Sequence, residues 1–129
     1  MNKRRFGVSL PKKLADDLEK LANVLGTDRS SIVSDALREY IHDYMHYLVP
    51  HECSGVMILM GKIDHEKLVK IIEEYRDIIH SYNHTHVGET CIETLVVSGP
   101  SERINSMHKV LMKTKGCVVR YIPIRYCPV

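Results

Sequence analysis

His84-Thr85-His86, followed by Cys91, places two imidazoles and a thiol within one short stretch of chain. In an extended strand, side chains two positions apart share a face and stand roughly 7 Å apart along it. Both rings can therefore lean toward one ion. Val87, Gly88, Glu89 and Thr90 read as a tight turn, so a second strand starting at Cys91 returns its thiolate beside the imidazoles. Nitrogen and sulfur donors together favour nickel, copper, zinc or cobalt over magnesium or calcium. His80 and Tyr82 fall on the same face of a strand expected over 79–86. Three imidazoles on one strand face are hard to explain as packing, and His80 is therefore a further candidate ligand. His42, His46, His51, His65 and His108 have no ligand-type partner at a regular spacing, apart from the i,i+4 pair His42 and His46, and are read as ordinary surface or core residues. No GxSxG, HExxH or P-loop pattern is present. A closed site with a strong donor set suits sensing or structure better than an open catalytic position, so no enzyme and no protein substrate is expected.

The elements that position these groups are bounded by composition. The chain has 129 residues, 44% of them apolar, with one phenylalanine and no tryptophan, so its core must be aliphatic with tyrosine and methionine. No apolar run approaches the ~18 residues that span a bilayer. Met1-Asn2-Lys3-Arg4-Arg5 is not followed by the apolar segment of a signal peptide. A cytoplasmic protein without a membrane partner is expected, with Cys53, Cys91, Cys117 and Cys127 as reduced thiols. Net charge is +2, yet residues 1–13 hold Lys3, Arg4, Arg5, Lys12 and Lys13 and no acid. That is the local footprint a nucleic-acid partner needs.

Residues 4–10 alternate: Phe6, Val8 and Leu10 on one face, Arg5, Gly7 and Ser9 on the other. This predicts a short half-buried strand. Pro11 suits a helix start, Leu14, Leu18, Leu21 and Leu25 recur at helical spacing, and Gly26 ends the helix. Asp28 or Ser30 can cap a second helix that carries Ile32, Val33, Ala36, Leu37, Tyr40, Ile41 and Tyr44. One strand and two helices cannot bury a sufficient core alone. The natural remedy is a two-fold dimer in which two copies of the strand pair antiparallel, the ribbon-helix-helix arrangement that reads the major groove of DNA. Arg5, Gly7 and Ser9 would then face base edges, Lys3, Arg4 and Lys12 would meet phosphates, and Arg29-Ser30 would offer a phosphate the amides of the second helix.

Pro50 marks the best boundary, giving a DNA-binding domain over 1–47, a linker over 48–54 and a second domain over 55–129. The second domain reads strand 55–63, helix from Asp64, strand 79–86, strand 91–98, helix from Pro100 and strand 117–124. The order βαββαβ is the ferredoxin-like motif used by small ligand-sensing domains of ACT type. The expected fold class is thus α+β, a ribbon-helix-helix followed by a ferredoxin-like domain.

The whole chain resembles the nickel-responsive transcriptional regulators, the NikR family. The matches are His84-Thr85-His86, Cys91-Ile92-Glu93, Glu74-Tyr75-Arg76-Asp77-Ile78-Ile79, Arg29-Ser30 and Asp35. The resemblance implies a homotetramer, a dimer of dimers, that binds a double-stranded operator and represses metal-uptake genes. It implies Ni2+ held by His84, His86 and Cys91 of one subunit and by a fourth ligand from a neighbouring subunit. Counted back from His84, that fourth position falls on Glu73. A carboxylate there admits Zn2+, Cu2+ or Co2+ beside Ni2+. The other arrangement the sequence allows is a ribbon-helix-helix regulator whose ACT-like domain senses a small molecule.

Overall fold

The computed structural model describes residues 2–5 and 7–124; Phe6 and Cys127 lie outside the described residues. The chain divides into two compact units, Met1–Tyr40 and Ile41–Val129.

In the first unit, α1 (Lys12–Leu25) carries the leucine repeat and ends at Gly26, whose φ of 66° is the left-handed cap that glycine adopts without strain. The Thr27 N–H then reaches back to the Ala22 carbonyl at 3.0 Å. The second helix, α2 (Arg29–Tyr44), is capped by Asp28, which accepts from the Ser31 N–H at 2.8 Å. That bond holds the Asp28 carboxyl below its usual range. The strand expected over 4–10 is not formed: its described residues have no regular structure in the single chain. The reason is physical, since a lone strand has no partner for its N–H and C=O groups and keeps them on water. Ala22 is the one buried residue among the described residues of this unit, while Val8, Leu14, Leu21 and Leu37 are exposed.

The second unit is built on a four-stranded antiparallel sheet in the order β2-β3-β1-β4, with β1 (Glu52–Gly61), β2 (Ile79–Val87), β3 (Thr90–Pro100) and β4 (Cys117–Pro123). Helices α3 (His65–Glu74) and α4 (Ser101–Met112) complete the expected βαββαβ order. Strand β1 starts three residues before the expected 55, inside the segment read as linker. There Glu52, Cys53 and Ser54 pair with Pro100, Gly99 and Ser98, because β3 also runs on to Pro100. Alternation along β1 and β3 sends Met57, Leu59, Leu95 and Val97 inward, where they meet Leu68, Tyr75, Ile104, Met107 and Leu111 beneath the helices. The opposite face of the sheet keeps Met60, Val96, Val118 and Ile122 exposed.

Two local features hold α3 in place. At its start, Asp64 accepts from the Glu66 N–H at 3.0 Å. At its far end, Arg103 of α4 makes a two-pronged pair with Asp77 at 3.0 and 3.2 Å and lies 4.2 Å over the Tyr75 ring. The paired Arg103 guanidinium lowers the Asp77 carboxyl, and Asp77 in turn raises Arg103. Near the opposite end of the sheet, His46 is buried against Tyr121 and His108. Burial, aided by His108, takes His46 down to about 4, so it is a neutral packing ring at physiological pH.

Candidate metal centre

Strand β2 is an edge strand, and its cross-strand register with β3 sets the site. His84 lies opposite Glu93 and His86 opposite Cys91. Directly opposed residues share a face, here the one turned toward the helices. The turn between the strands is the two residues Gly88-Glu89, with Gly88 at φ 62° as the first-position glycine of a favoured hairpin class. A two-residue turn leaves the register no freedom, so the spacing from His86 to Cys91 forces imidazole and thiol together. The Cys91 Sγ stands 3.7 Å from His86 Nδ1, and the Nε2 atoms of His84 and His86 face each other at 2.8 Å.

A fourth donor comes from outside the hairpin. His65, the first residue of α3, stacks edge-on to the His84 ring with centroids 4.9 Å apart. Donor atoms of His65, His84, His86 and Cys91 all lie within 4.8 Å of one another. Ligands bound to one ion at ~2.0–2.3 Å stand at most ~4.6 Å apart, so this cluster needs only small adjustments to hold a single ion. Three imidazoles and one thiolate form a borderline-soft set that fits nickel, copper, zinc or cobalt.

Behind the ligands is a buried carboxylate. Glu93 is fully buried, accepts from Tyr82 Oη at 2.6 Å, and is hydrogen-bonded to His84 Nδ1. An N–H on His84 Nδ1 directed at Glu93 leaves Nε2 free to ligate, the carboxylate–histidine arrangement common around protein-bound metals. Burial first, and the Glu93 carboxylate second, push the Tyr82 hydroxyl well above its usual range, so it remains a donor. Burial likewise raises the thiols of Cys53 and Cys117, which lie apart from the cluster.

The other sequence-derived candidates are placed differently. His80 is exposed at a β-bulge between Ile79 and Ser81 and is not in the cluster. The bulge interrupts the alternation that aligned His80 with His84 and His86. Glu73 is exposed near the far end of α3, 3.5 Å from Arg76. In the first unit, Lys3, Arg4, Arg5, Gly7, Ser9, Lys12, Arg29 and Ser30 are all exposed.

Residues 63–121, which contain all four convergent donors, match the model of the NikR C-terminal nickel binding domain, and residues 4–44 match that of the ribbon-helix-helix protein, copG family. A protein of Pyrococcus furiosus named "Putative nickel-responsive regulator" is 30% identical over 118 residues, covering 87% of this chain and 86% of that one. The chain belongs to the nickel-responsive regulator family. A Methanothermobacter thermautotrophicus relative, with that name and the number 2, is 32% identical over 120 residues, 87% of this chain and 85% of its own. The Dictyoglomus turgidum relative is 32% identical over 117 residues, 86% of this chain and 87% of its own. Among solved structures, the uncharacterized protein TM1266 from Thermotoga maritima superposes with a TM-score of 0.54 at 12% identity, over 58% of this chain and all of that one, a likeness of fold alone. As a ribbon-helix-helix transcriptional regulator, this family member is a DNA-binding protein and not an enzyme. Among its described residues, no helix is long and apolar enough to cross a membrane.

In this family member, sequence reasoning reads His65 as an ordinary surface or core residue, whereas the structure brings it into the cluster. The available signal is indirect: Gly61 pairs with Cys91, so residues just past β1 emerge beside the thiol. The role of Glu93 behind His84 likewise emerges only from the hairpin register. Replacing Glu93 with glutamine is expected to weaken metal binding by about 10- to 100-fold, as loss of such supporting carboxylates does elsewhere. Competition with a chelator measures it, and an unchanged affinity would remove Glu93 from the site.

Proposed function

We propose that this chain is a nickel-responsive repressor of metal-uptake genes, working in the cytoplasm as a homotetramer. The observation that carries the reading is the convergence of His84, His86 and Cys91 on one face of the sensor sheet, in a chain that opens with a ribbon-helix-helix module. Residues 1–47 form the DNA-binding part, and the metal-binding and tetramerising part, expected over 55–129, takes in the first residues of β1 from Glu52 as well.

Two open apolar surfaces support the assembly. In the first unit, exposed Val8, Leu10, Leu14 and Leu37 ask for a second copy whose N-terminal segment pairs with this one. In the second, exposed Met60, Val118 and Ile122 leave one sheet face for another subunit. Pairing two N-terminal segments would turn Arg5, Gly7 and Ser9 toward base edges. Lys3, Arg4 and Lys12, with the amides at Arg29-Ser30, would hold phosphates and make binding salt-dependent. Nickel suits the nitrogen and sulfur donors, and by ordering the sensor part it favours one arrangement of the two DNA-binding dimers. Coupling is reciprocal, so DNA must tighten nickel binding by the factor that nickel tightens DNA binding.

The test is a selection of duplexes from a random-sequence pool with nickel-loaded protein, followed by anisotropy titrations of the selected duplex. Nickel is expected to tighten binding by roughly 5- to 150-fold, the usual span of such couplings. Equal affinity with and without nickel would sink the metal-responsive part.

A further inference from the structure

We propose that the metal site is closed within a single polypeptide, by His65, and not by Glu73 of a neighbouring subunit. The inference rests on the metal-binding reading above and concerns where the fourth ligand comes from. The family resemblance points to a residue near the end of α3, contributed in trans. In this chain the start of α3 already supplies what is missing.

Within one chain, the positions on α3 separate the two candidates. His65 is its first residue and Glu73 its next-to-last, eight residues on. At 1.5 Å of rise per residue, Glu73 lies ~12 Å farther along the helix axis and is out of reach of its own chain's cluster. His65 has its ring against His84 and a donor nitrogen within 4.8 Å of the other three ligand atoms. Two constraints put it there. Lys62 N–H donates to the Gly116 carbonyl at 3.0 Å, and Ile63 is buried, so the chain leaving β1 is held against the sheet. Asp64 then starts the helix, and His65 follows with its ring against His84 of the edge strand.

Chemistry favours the same residue. His65 completes three imidazoles and a thiolate, whereas Glu73 would bring a hard oxygen donor to a borderline-soft ion. A cation near a helix N-terminus meets the unfavourable end of the helix dipole. The adjacent Asp64 carboxylate and the Cys91 thiolate offset that charge.

A mechanical consequence follows. The far end of α3 is tied to α4 by Arg103 with Asp77 and Tyr75. Ligation through His65 would tie the near end to β2 as well. Metal would then be read out as docking of the first turn of α3 within each chain. Loading would not require assembly, and nickel affinity per chain would not depend on protein concentration.

The experiment uses the full-length chain and its His65→Ala and Glu73→Gln variants. Nickel is titrated while thiolate-to-nickel charge-transfer absorption is followed, and affinity is set by chelator competition at two widely separated protein concentrations. His65→Ala is expected to lose about 100-fold or more in affinity, one ligand's share of a four-ligand site, with an altered absorption spectrum. Glu73→Gln should match the parent in both, and dilution should change neither. His65 is exposed, so thermal melting of the metal-free variant should overlay the parent and exclude misfolding. A His65→Ala protein that binds nickel like the parent overturns the proposal, and so does loss of binding in Glu73→Gln or on dilution. A parent chain that takes up no nickel refutes the metal-binding reading itself, a result distinct from any of these.

Discussion

Cys91→Ser is expected to reduce nickel affinity by about 100-fold or more and to abolish the thiolate charge-transfer band. Binding energies of four-ligand sites built from imidazole and thiolate run to ~10–16 kcal/mol, so one ligand carries ~3 kcal/mol on average, about a hundredfold in affinity. The thiolate's share is the larger because it contributes the charge and the soft donor that separate nickel, copper and zinc from harder ions. A serine hydroxyl of nearly the same size supplies neither at neutral pH. The effect should be specific. Cys53 and Cys117 lie outside the cluster, and burial holds their thiols protonated. Their serine variants should bind nickel as the parent does. The metal dependence of DNA binding should disappear in Cys91→Ser while affinity without metal stays unchanged. Absorption titration and anisotropy with the selected duplex check the two halves. A Cys91→Ser chain that keeps its affinity and its band would exclude Cys91 as a ligand.

Gly61→Ala is expected to destabilise the second unit by about 3 kcal/mol or more, since a strained φ alone costs ~1–3 kcal/mol and a clash with backbone adds to it. Gly61 has φ 145°, and a Cβ built there would stand 2.1 Å from the Gly116 carbonyl oxygen and 2.8 Å from the Cys117 Cα. Neither atom is the tip of a flexible side chain, so the end of β1 would have to part from β4. In a unit of this size, that cost lowers Tm by more than ~10 °C. Gly88 is the control: it too has a positive φ, 62°, but nothing stands within 4 Å of its added Cβ. Gly88→Ala should cost only ~1–2 kcal/mol, the strain of the left-handed conformation. Thermal melts of both variants without metal measure the contrast, and equal losses would show that the close approach at Gly61 is not what matters. Gly61→Ala should also weaken nickel binding, because the segment it displaces carries His65.

Periodicity and turn chemistry make much of this protein legible from its residues alone. The leucine spacing of α1, the glycine that ends it, the Asp28 cap and the βαββαβ order are local signals, and each is present in the fold. The approach of His86 to Cys91 is legible for the same reason. A strand alternates with period two and a two-residue turn admits one register, so the meeting of those side chains needs no distant contact. The short motifs also suffice to place the chain in its family.

What the sequence leaves open depends on contacts between residues far apart. His80 shares the parity of His84 and His86, and only the bulge at Ile79–Ser81 takes it out of line. The N-terminal segment reads as a strand, but a strand exists only when a partner takes its hydrogen bonds, and one chain supplies none. Glu93 sits in a recognisable Cys-Ile-Glu, yet its burial behind His84 belongs to the hairpin register and to the helices above it. His65 lies 19 residues before His84, and no local spacing connects them. The pairing of Gly61 with Cys91, and the packing of α3 over the sheet, bring its ring to the cluster. Local periodicity determined three donors; the fourth was decided by tertiary packing, because only nonlocal pairing sets where the first turn of a helix lands.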